Sequence, residues 1–366
     1  MRPYQSGART RARGRRAAAL CVSGIVCASV ATAGQMPTEP DEMYDAFCAV
    51  CHAEDGTGQV ENPALDAEPM DFTDCAVATP EPDGDWDLVI THGGPAAGLS
   101  SEMPSYGDTL TGGQIDALIG YVRGFCAEPG WPIGTLNFPR PIFTEKAFPE
   151  NEFLLLPDVS EGDGDVTQFG LRVIYERRFG RRGHVEVRFP FASVSASGDR
   201  QSGLGDIKLA GKYVLHTDRA MTHITTAGLE VSLPTGDEDN GLGHGTTILE
   251  PYLAFGTTVG DLYLQTQVKV ESPASGPLSD TEFGYNAYVG FDVSEFLNTF
   301  TLGIELNGVD DDLALTPQLR KGLTRTGAIA VAGGIQIPIN HRDVRRARWV
   351  GYFLWEYLDP VFAVKD

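Results

Sequence analysis

The sequence predicts a multidomain protein, with a small all-α domain followed by an antiparallel transmembrane β-barrel of about twelve strands. Three observations predict it. Beyond residue 151, apolar and polar residues alternate over runs of about 8–12 residues with turn residues between them, the pattern of barrel strands. Before residue 129, apolar residues recur at helical spacing. Between the two, Pro129, Pro132, Pro139, Pro141 and Pro149 mark a change in the character of the chain. The 366 residues are enough for two domains.

The elements follow in order. Arg9, Arg11, Arg13, Arg15 and Arg16 precede an apolar run over 17–30 and the small-residue site Ala31-Thr32-Ala33. This reads as an export signal over residues 1–33, with a mature chain from Gly34. The run is too short for a confident transmembrane helix, and an uncleaved anchor is the alternative. Cys21 and Cys27 fall inside this segment.

Residues 34–128 form the first domain. Residues 41–50 read as a short helix carrying Tyr44 and Phe47. Thr111, with Gln114 three residues on, opens a capped amphipathic helix through Ile115, Leu118, Ile119, Val122 and Phe125. Packing of Tyr44 and Phe47 against Tyr121 and Phe125 would frame a crevice.

At the end of the first helix stands Cys48-Ala49-Val50-Cys51-His52. C-x-x-C-H is the pattern of covalent c-type haem attachment. Both thiols and the imidazole reach one flat macrocycle from a single helical turn. A redox dithiol or half a zinc site would use the same two cysteines, but His52 and the lack of a second C-x-x-C speak against both. One haem c is expected. A second axial ligand must come from elsewhere. Met103, in Met103-Pro104-Ser105-Tyr106 just before the last helix, is the candidate, because a soft thioether suits an iron that carries electrons. Met36 and Met43 lie too near the first helix, Met70 sits early, and His92 reads as a helix end.

With Cys48, Cys51, His52, Asn62-Pro63-Ala64-Leu65, Met103-Pro104 and the closing helix, this segment resembles the class I, mitochondrial-type monohaem cytochromes c of bacteria. The resemblance implies that the Pro63 carbonyl accepts the imidazole N–H of His52 and fixes its tautomer. The family's usual glycine before that proline is Asn62 here. Cys75 and Cys126 remain. In an oxidising compartment they suggest a disulfide, with two separate buried thiols as the alternative.

Residues 129–150 read as a stiff Pro-rich linker, and residues 151–366 as the barrel. Leu262, Leu264, Thr266, Val268 and Val270 alternate with Tyr263, Gln265, Gln267, Lys269 and Glu271, and the runs at 283–293 and 300–307 do likewise. A soluble β-sandwich would alternate too, over shorter strands. Phe179, Phe189, Phe255, Trp349 and Trp355 suit membrane interfaces, although the chain continues past Tyr357 to Asp366 rather than ending on an aromatic. Gly203-Leu204-Gly205-Asp206, the run 229–237 and Glu250-Pro251 resemble the outer-membrane barrel family named after the meta-pathway of phenol degradation. That resemblance implies a fold more than a chemistry. The Gly-rich run 241–245 lacks the strand–loop–helix setting of a phosphate loop.

The chain is acidic, at −22 overall and −28 without the leader arginines, and residues 34–130 hold 19 acidic residues against Arg123 as the only Lys or Arg. Such a surface repels nucleic acid and anionic lipid and favours a basic partner or cations, with simple solubility in salty or acidic surroundings as the alternative. These features imply electron transfer by haem c on a periplasmic domain tethered to the outer membrane, with a basic periplasmic cytochrome as partner and no enzyme activity. Fusions in which a haem domain plugs a porin are known. A domain with a radius of gyration near ~13 Å should not fit whole inside about twelve strands. The alternative is a solute channel with an accessory cytochrome. Arg172, Glu186, Lys208, Glu230, Lys269 and Glu305 would then line a polar lumen, or fill it with ion pairs.

Overall fold

The computed structural model describes residues 36–60, 65–126, 130–162, 166–196, 199–218, 221–274, 281–293, 300–324, 326–341 and 345–357. The segment 1–33 that reads as an export signal, and Pro63, lie outside the described residues.

The first domain is helical: α1 (Pro40–Phe47), α2 (Ala49–His52), α3 (Cys75–Ala78), α4 (Asp83–His92) and α5 (Gly112–Arg123). Pro40 sits at the start of α1, where its missing N–H costs nothing. In α5 the Thr111 backbone N–H donates to Gln114 Oε1 at 3.0 Å, closing the capping box that the sequence announces. The apolar faces of α1, α4 and α5 meet in one core of Met43, Tyr44, Trp86, Ile90, Ile115, Leu118 and Ile119. Tyr44 packs on Tyr121 (5.4 Å) and Phe125 (5.0 Å), as its position on α1 predicts. The Phe47 ring meets that of Tyr106 (5.6 Å) rather than those of Tyr121 and Phe125, and the Tyr106 hydroxyl donates to the Phe47 carbonyl at 2.6 Å. A disulfide joins Cys75 to Cys126, so the start of α3 is tied to the chain beyond α5.

The second domain is one antiparallel sheet: β1 (Glu152–Glu161), β2 (Thr167–Phe179), β3 (Gly183–Ala196), β4 (Asp199–Leu204), β5 (Lys208–Thr217), β6 (His223–Ser232), β7 (Ile248–Val259), β8 (Leu262–Pro273), β9 (Glu282–Asp292), β10 (Phe300–Val309), β11 (Asp312–Gly322), β12 (Ile329–Pro338) and β13 (Arg348–Glu356). Apart from β4 and β5, each strand pairs with the next in the chain, and β1 closes on β13 from Glu152 opposite Glu356 to Ser160 opposite Arg348. β4 pairs with the second half of β3 and β5 with the first half. They are two halves of one barrel strand, broken at Gly205-Asp206-Ile207, so the ring has twelve strands. Asp206 holds the break. It accepts from the backbone N–H groups of Gly236 (2.9 Å) and His244 (2.8 Å), joining the two Gly-rich motifs.

The alternation is inside-out relative to a soluble protein. Leu209, Tyr213, Leu253, Val268, Phe291, Leu302 and Leu319 face outward and are exposed, and Trp349 is 64% exposed. Glu176, Glu186, Lys212, Glu230, Gln265, Gln267 and Glu305 face inward and are buried. An apolar exterior around a polar interior is stable only with lipid outside. The barrel is transmembrane.

The lumen is not empty. Residues 131–150 enter at the end where β1 begins and β13 finishes (the proximal end), run into the barrel and return. Leu136, Phe138, Arg140, Ile142, Glu145, Lys146, Ala147, Phe148 and Glu150 are all buried. With no sheet partner, this segment finds its backbone hydrogen bonds on the barrel wall. Gln265 Nε2 donates to the Pro139 carbonyl (2.8 Å), Tyr352 to that of Arg140 (2.7 Å) and Thr226 to that of Ala147 (2.5 Å). The Phe143 N–H donates to Glu305 (3.1 Å), and the Glu150 N–H to His184 Nδ1 (3.1 Å). Prolines suit such a path, since each removes a donor that would need a partner. The residues that read as a connector are the filling of the barrel, and the helical domain stays outside it.

Arg140 anchors this filling. Its guanidinium bonds Glu176 through both Nη atoms (2.7 and 3.1 Å), Glu152 (2.9 Å) and Glu150 (3.2 Å). Lys146 pairs with Glu150 and Glu152, and Lys212 reaches Glu145 at 3.1 Å.

The helical domain meets the proximal end through residues 130–136. The Thr79 carbonyl accepts from the Gly134 N–H at 2.7 Å, and Arg178 of β2 approaches the Thr79 hydroxyl at 3.4 Å. Gly134 is required there, because a Cβ would collide with the Pro80 carbonyl oxygen. Asp85 faces this contact. Burial, then repulsion from Glu81 and Glu356, pushes its carboxyl from 3.8 up to about 8. The folded state therefore holds a proton that the unfolded chain releases. The stabilisation is full below pH about 4 and is lost as pH rises through about 8. Thermal unfolding of the full-length protein, followed by its helical circular dichroism, should show the midpoint falling across that window. Asp85→Asn should flatten the fall, and an unchanged pH profile in that variant would refute this assignment.

Candidate functional site

The site is built on the α1–α2 turn. Cys48 lies between the two helices, and Cys51 and His52 lie within α2. The Cys51 N–H and the His52 N–H both donate to the Cys48 carbonyl, at 3.1 and 2.9 Å, so the three side chains leave one tight turn. Both thiols are half-buried and unbonded, although the same domain holds the Cys75–Cys126 disulfide. Burial, with Cys51 adding, pushes the Cys48 thiol up to about 12, opposite to the lowered thiol of a redox dithiol.

His52 is oriented for ligation. Its Nδ1 lies 3.3 Å from the Met70 carbonyl oxygen, which accepts the Nδ1 proton and leaves the Nε2 lone pair free. The ring stacks on Phe72 at 4.5 Å, and burial lowers its proton affinity, favouring the neutral imidazole that binds metal. Among the described residues the carbonyl on His52 Nδ1 is that of Met70, an acceptor that side-chain patterns cannot reveal. The Tyr44 hydroxyl donates to the Ala53 carbonyl at 2.7 Å and pins the end of the turn to α1.

Met103 is half-buried against the same apolar core as Cys48, Phe72 and Tyr106. Its loop is held by the Gly94 N–H, which donates to the Met103 carbonyl at 3.0 Å. Gly94 is needed there, since a Cβ would strike the Ser100 carbonyl oxygen. His92, at the end of α4, is exposed to solvent. Of the rival methionines, Met43 is fully buried in the core and Met70 contributes its carbonyl.

The donor set fits haem c: two free thiols and a tautomer-fixed imidazole on one turn, beside an apolar core that includes a thioether. Cys48 and Cys51 would hold the vinyl carbons, and His52 and Met103 the iron. Met103→Ala should abolish the weak near-infrared band of thioether–iron ligation in the ferric protein and lower the reduction potential, because a thioether favours Fe(II). An unchanged spectrum and potential would place the ligand elsewhere.

The fold and this turn define a class: a cytochrome c-type domain fused to a twelve-stranded transmembrane barrel. Residues 35–122 match the family described as "Cytochrome C oxidase, cbb3-type, subunit III", and residues 157–313 match that described as "Putative MetA-pathway of phenol degradation". Similar solved structures include the COG4313 outer membrane channel from Pseudomonas putida F1, at 16% identity over 60% of this chain and 99% of that one, with a TM-score of 0.44. The KdgM porin is 10% identical over 56% and 99%, with a TM-score of 0.39. The NanC porin is 12% identical over 56% and 100%, with a TM-score of 0.40. No curated protein matches the chain.

Proposed function

We propose that this chain transfers electrons through one haem c attached to Cys48 and Cys51, on a periplasmic domain anchored in the outer membrane by its barrel. The observation that carries the proposal is the α1–α2 turn, with its two unbonded thiols and an imidazole whose Nδ1 is already committed to Met70. When bound, haem c supplies a one-electron iron couple. Cys48 and Cys51 fix its place, His52 and Met103 hold the iron in both oxidation states, and the aromatic core of Phe72, Trp86 and Phe125 excludes water. No catalytic role is assigned to any side chain. The filled lumen supports a barrel that serves as anchor over the alternative of an open solute channel.

The partner would be a basic periplasmic redox protein. Asp41, Glu42, Asp45, Glu54 and Asp55 are exposed on either side of the attachment turn, and Val50 at its tip is 66% exposed. Opposite charges speed encounter and are screened within about 8 Å at physiological ionic strength. Stopped-flow electron exchange with a basic monohaem cytochrome c should slow about tenfold or more between low and high salt. A salt-independent rate would remove the acidic face from recognition. Protease outside intact cells should leave the haem domain uncut, whereas cleavage there would place it on the outer surface.

A further inference from the structure

At the distal end of the barrel, above Phe143 of the lumen segment, lies a polar cavity of about 310 Å³. Its wall is cationic in a chain that is −22 overall: Arg172, Arg188, Lys208, Lys269, Arg345 and Arg348 face Glu230, Glu250 and Asp312. The carboxylates are already engaged. Arg188 (2.9 Å) and Lys208 (2.6 Å) share Glu230, Lys269 holds Glu250 (2.8 Å), and Arg345 reaches Asp312 (3.4 Å).

Two guanidinium groups, Arg172 and Arg348, have only the carboxylate of Asp158 between them. Arg172 of β2 makes no close hydrogen bond or ion pair among the described residues, and Asp158 is the carboxylate that attracts it most. Arg348 of β13 has its nearest described carboxylate, Asp158, at 3.8 Å. It donates one bond to Gln336 (2.9 Å) and lies 5.2 Å from the Phe143 ring centre, and its Nε is buried without a partner. Two guanidinium groups sharing one carboxylate in a confined wall leave a net positive charge there, which is costly without a further anion. The planar guanidinium fork matches the oxygens of a carboxylate or phosphate.

We propose that this cavity is a binding site for a small oxyanion, a carboxylate or phosphate group entering from the distal end, with Arg172 and Arg348 as its principal donors. Phe143 and the lumen segment floor the site, so the anion is held rather than passed through. The site is independent of the haem.

The test is equilibrium binding of inorganic phosphate and, separately, citrate to the detergent-solubilised full-length protein at low ionic strength. Saturable binding of either is expected. Binding of phosphate alone would indicate a tetrahedral ligand, and of citrate alone a carboxylate. Arg172→Gln and Arg348→Gln should each weaken binding about tenfold, the scale of one lost charge-assisted bond. Arg172→Lys should recover part of it. Arg177→Gln, the same charge change at an exposed position of β2, should have no effect. Heat-modifiable gel mobility reports that each barrel is folded, and a variant that fails this check is replaced by the other. No saturable binding by the wild type, equal binding by the two arginine variants, or equal weakening by Arg177→Gln would overturn the proposal.

Discussion

Replacing Cys48 and Cys51 together by Ser, or His52 by Ala, is expected to reduce covalent haem from one per chain to less than about a tenth of that, measured as pyridine haemochrome after acid–acetone extraction. The reasoning is geometric. The Cys51 and His52 amides share the Cys48 carbonyl, so both sulfurs and the imidazole leave one turn. No other unbonded cysteine lies among the described residues to replace either thiol. A single Cys→Ser change should retain a reduced amount through the remaining thioether. Cys75→Ser provides the contrast. It breaks a disulfide spanning 51 residues, worth about 4 kcal/mol in the chain-entropy account. It should lower stability while leaving the folded fraction with its haem. A colourless wild-type protein, or haem that extracts freely, would end the cytochrome reading.

What the sequence made legible was what short-range pattern determines. The attachment turn, the Thr111–Gln114 cap and the strand alternation are each written within a few residues, and all three appear where the spacing puts them. The mixed-charge lumen set was legible for the same reason, since Lys208 and Glu230 alternate with outward apolar residues, and they pair at 2.6 Å. The rest depends on distant contacts. Nothing local says that Arg140 meets Glu176, or that the Phe143 N–H meets Glu305, 162 residues away. Without those partners, residues 129–150 look like a Pro-rich connector. The Met70 carbonyl on His52 and the Tyr106 ring under Phe47 escaped for a related reason. A backbone acceptor carries no residue signature, and one aromatic contact can be met from several loops.

Because the lumen is filled by a chain segment rather than by barrel side chains alone, its removal should open the barrel. Replacing residues 132–149 by a Gly/Ser chain of equal length removes Arg140, Glu145 and Lys146, the charged groups that face Glu152, Glu176, Arg188 and Lys212. Eight strands leave room only for side chains and 16–18 leave an aqueous channel, so a twelve-stranded lumen lies between the two. In planar bilayers the wild-type protein should be nearly silent, and the replaced chain should show discrete conductance steps, with its haem content unchanged. A point change tests the same idea more finely. Arg140→Ala leaves Glu150, Glu152 and Glu176 buried without their shared guanidinium, a loss of about 3–5 kcal/mol for a broken buried pair. That is enough to favour departure of the segment over retention of uncompensated carboxylates, so intermittent conductance is expected. Arg140→Lys should give an intermediate result, because one ammonium cannot reproduce the fork on Glu176. If the folded, haem-loaded replacement variant stays silent, the wall side chains close the barrel unaided, and the segment only fills space that was never a passage.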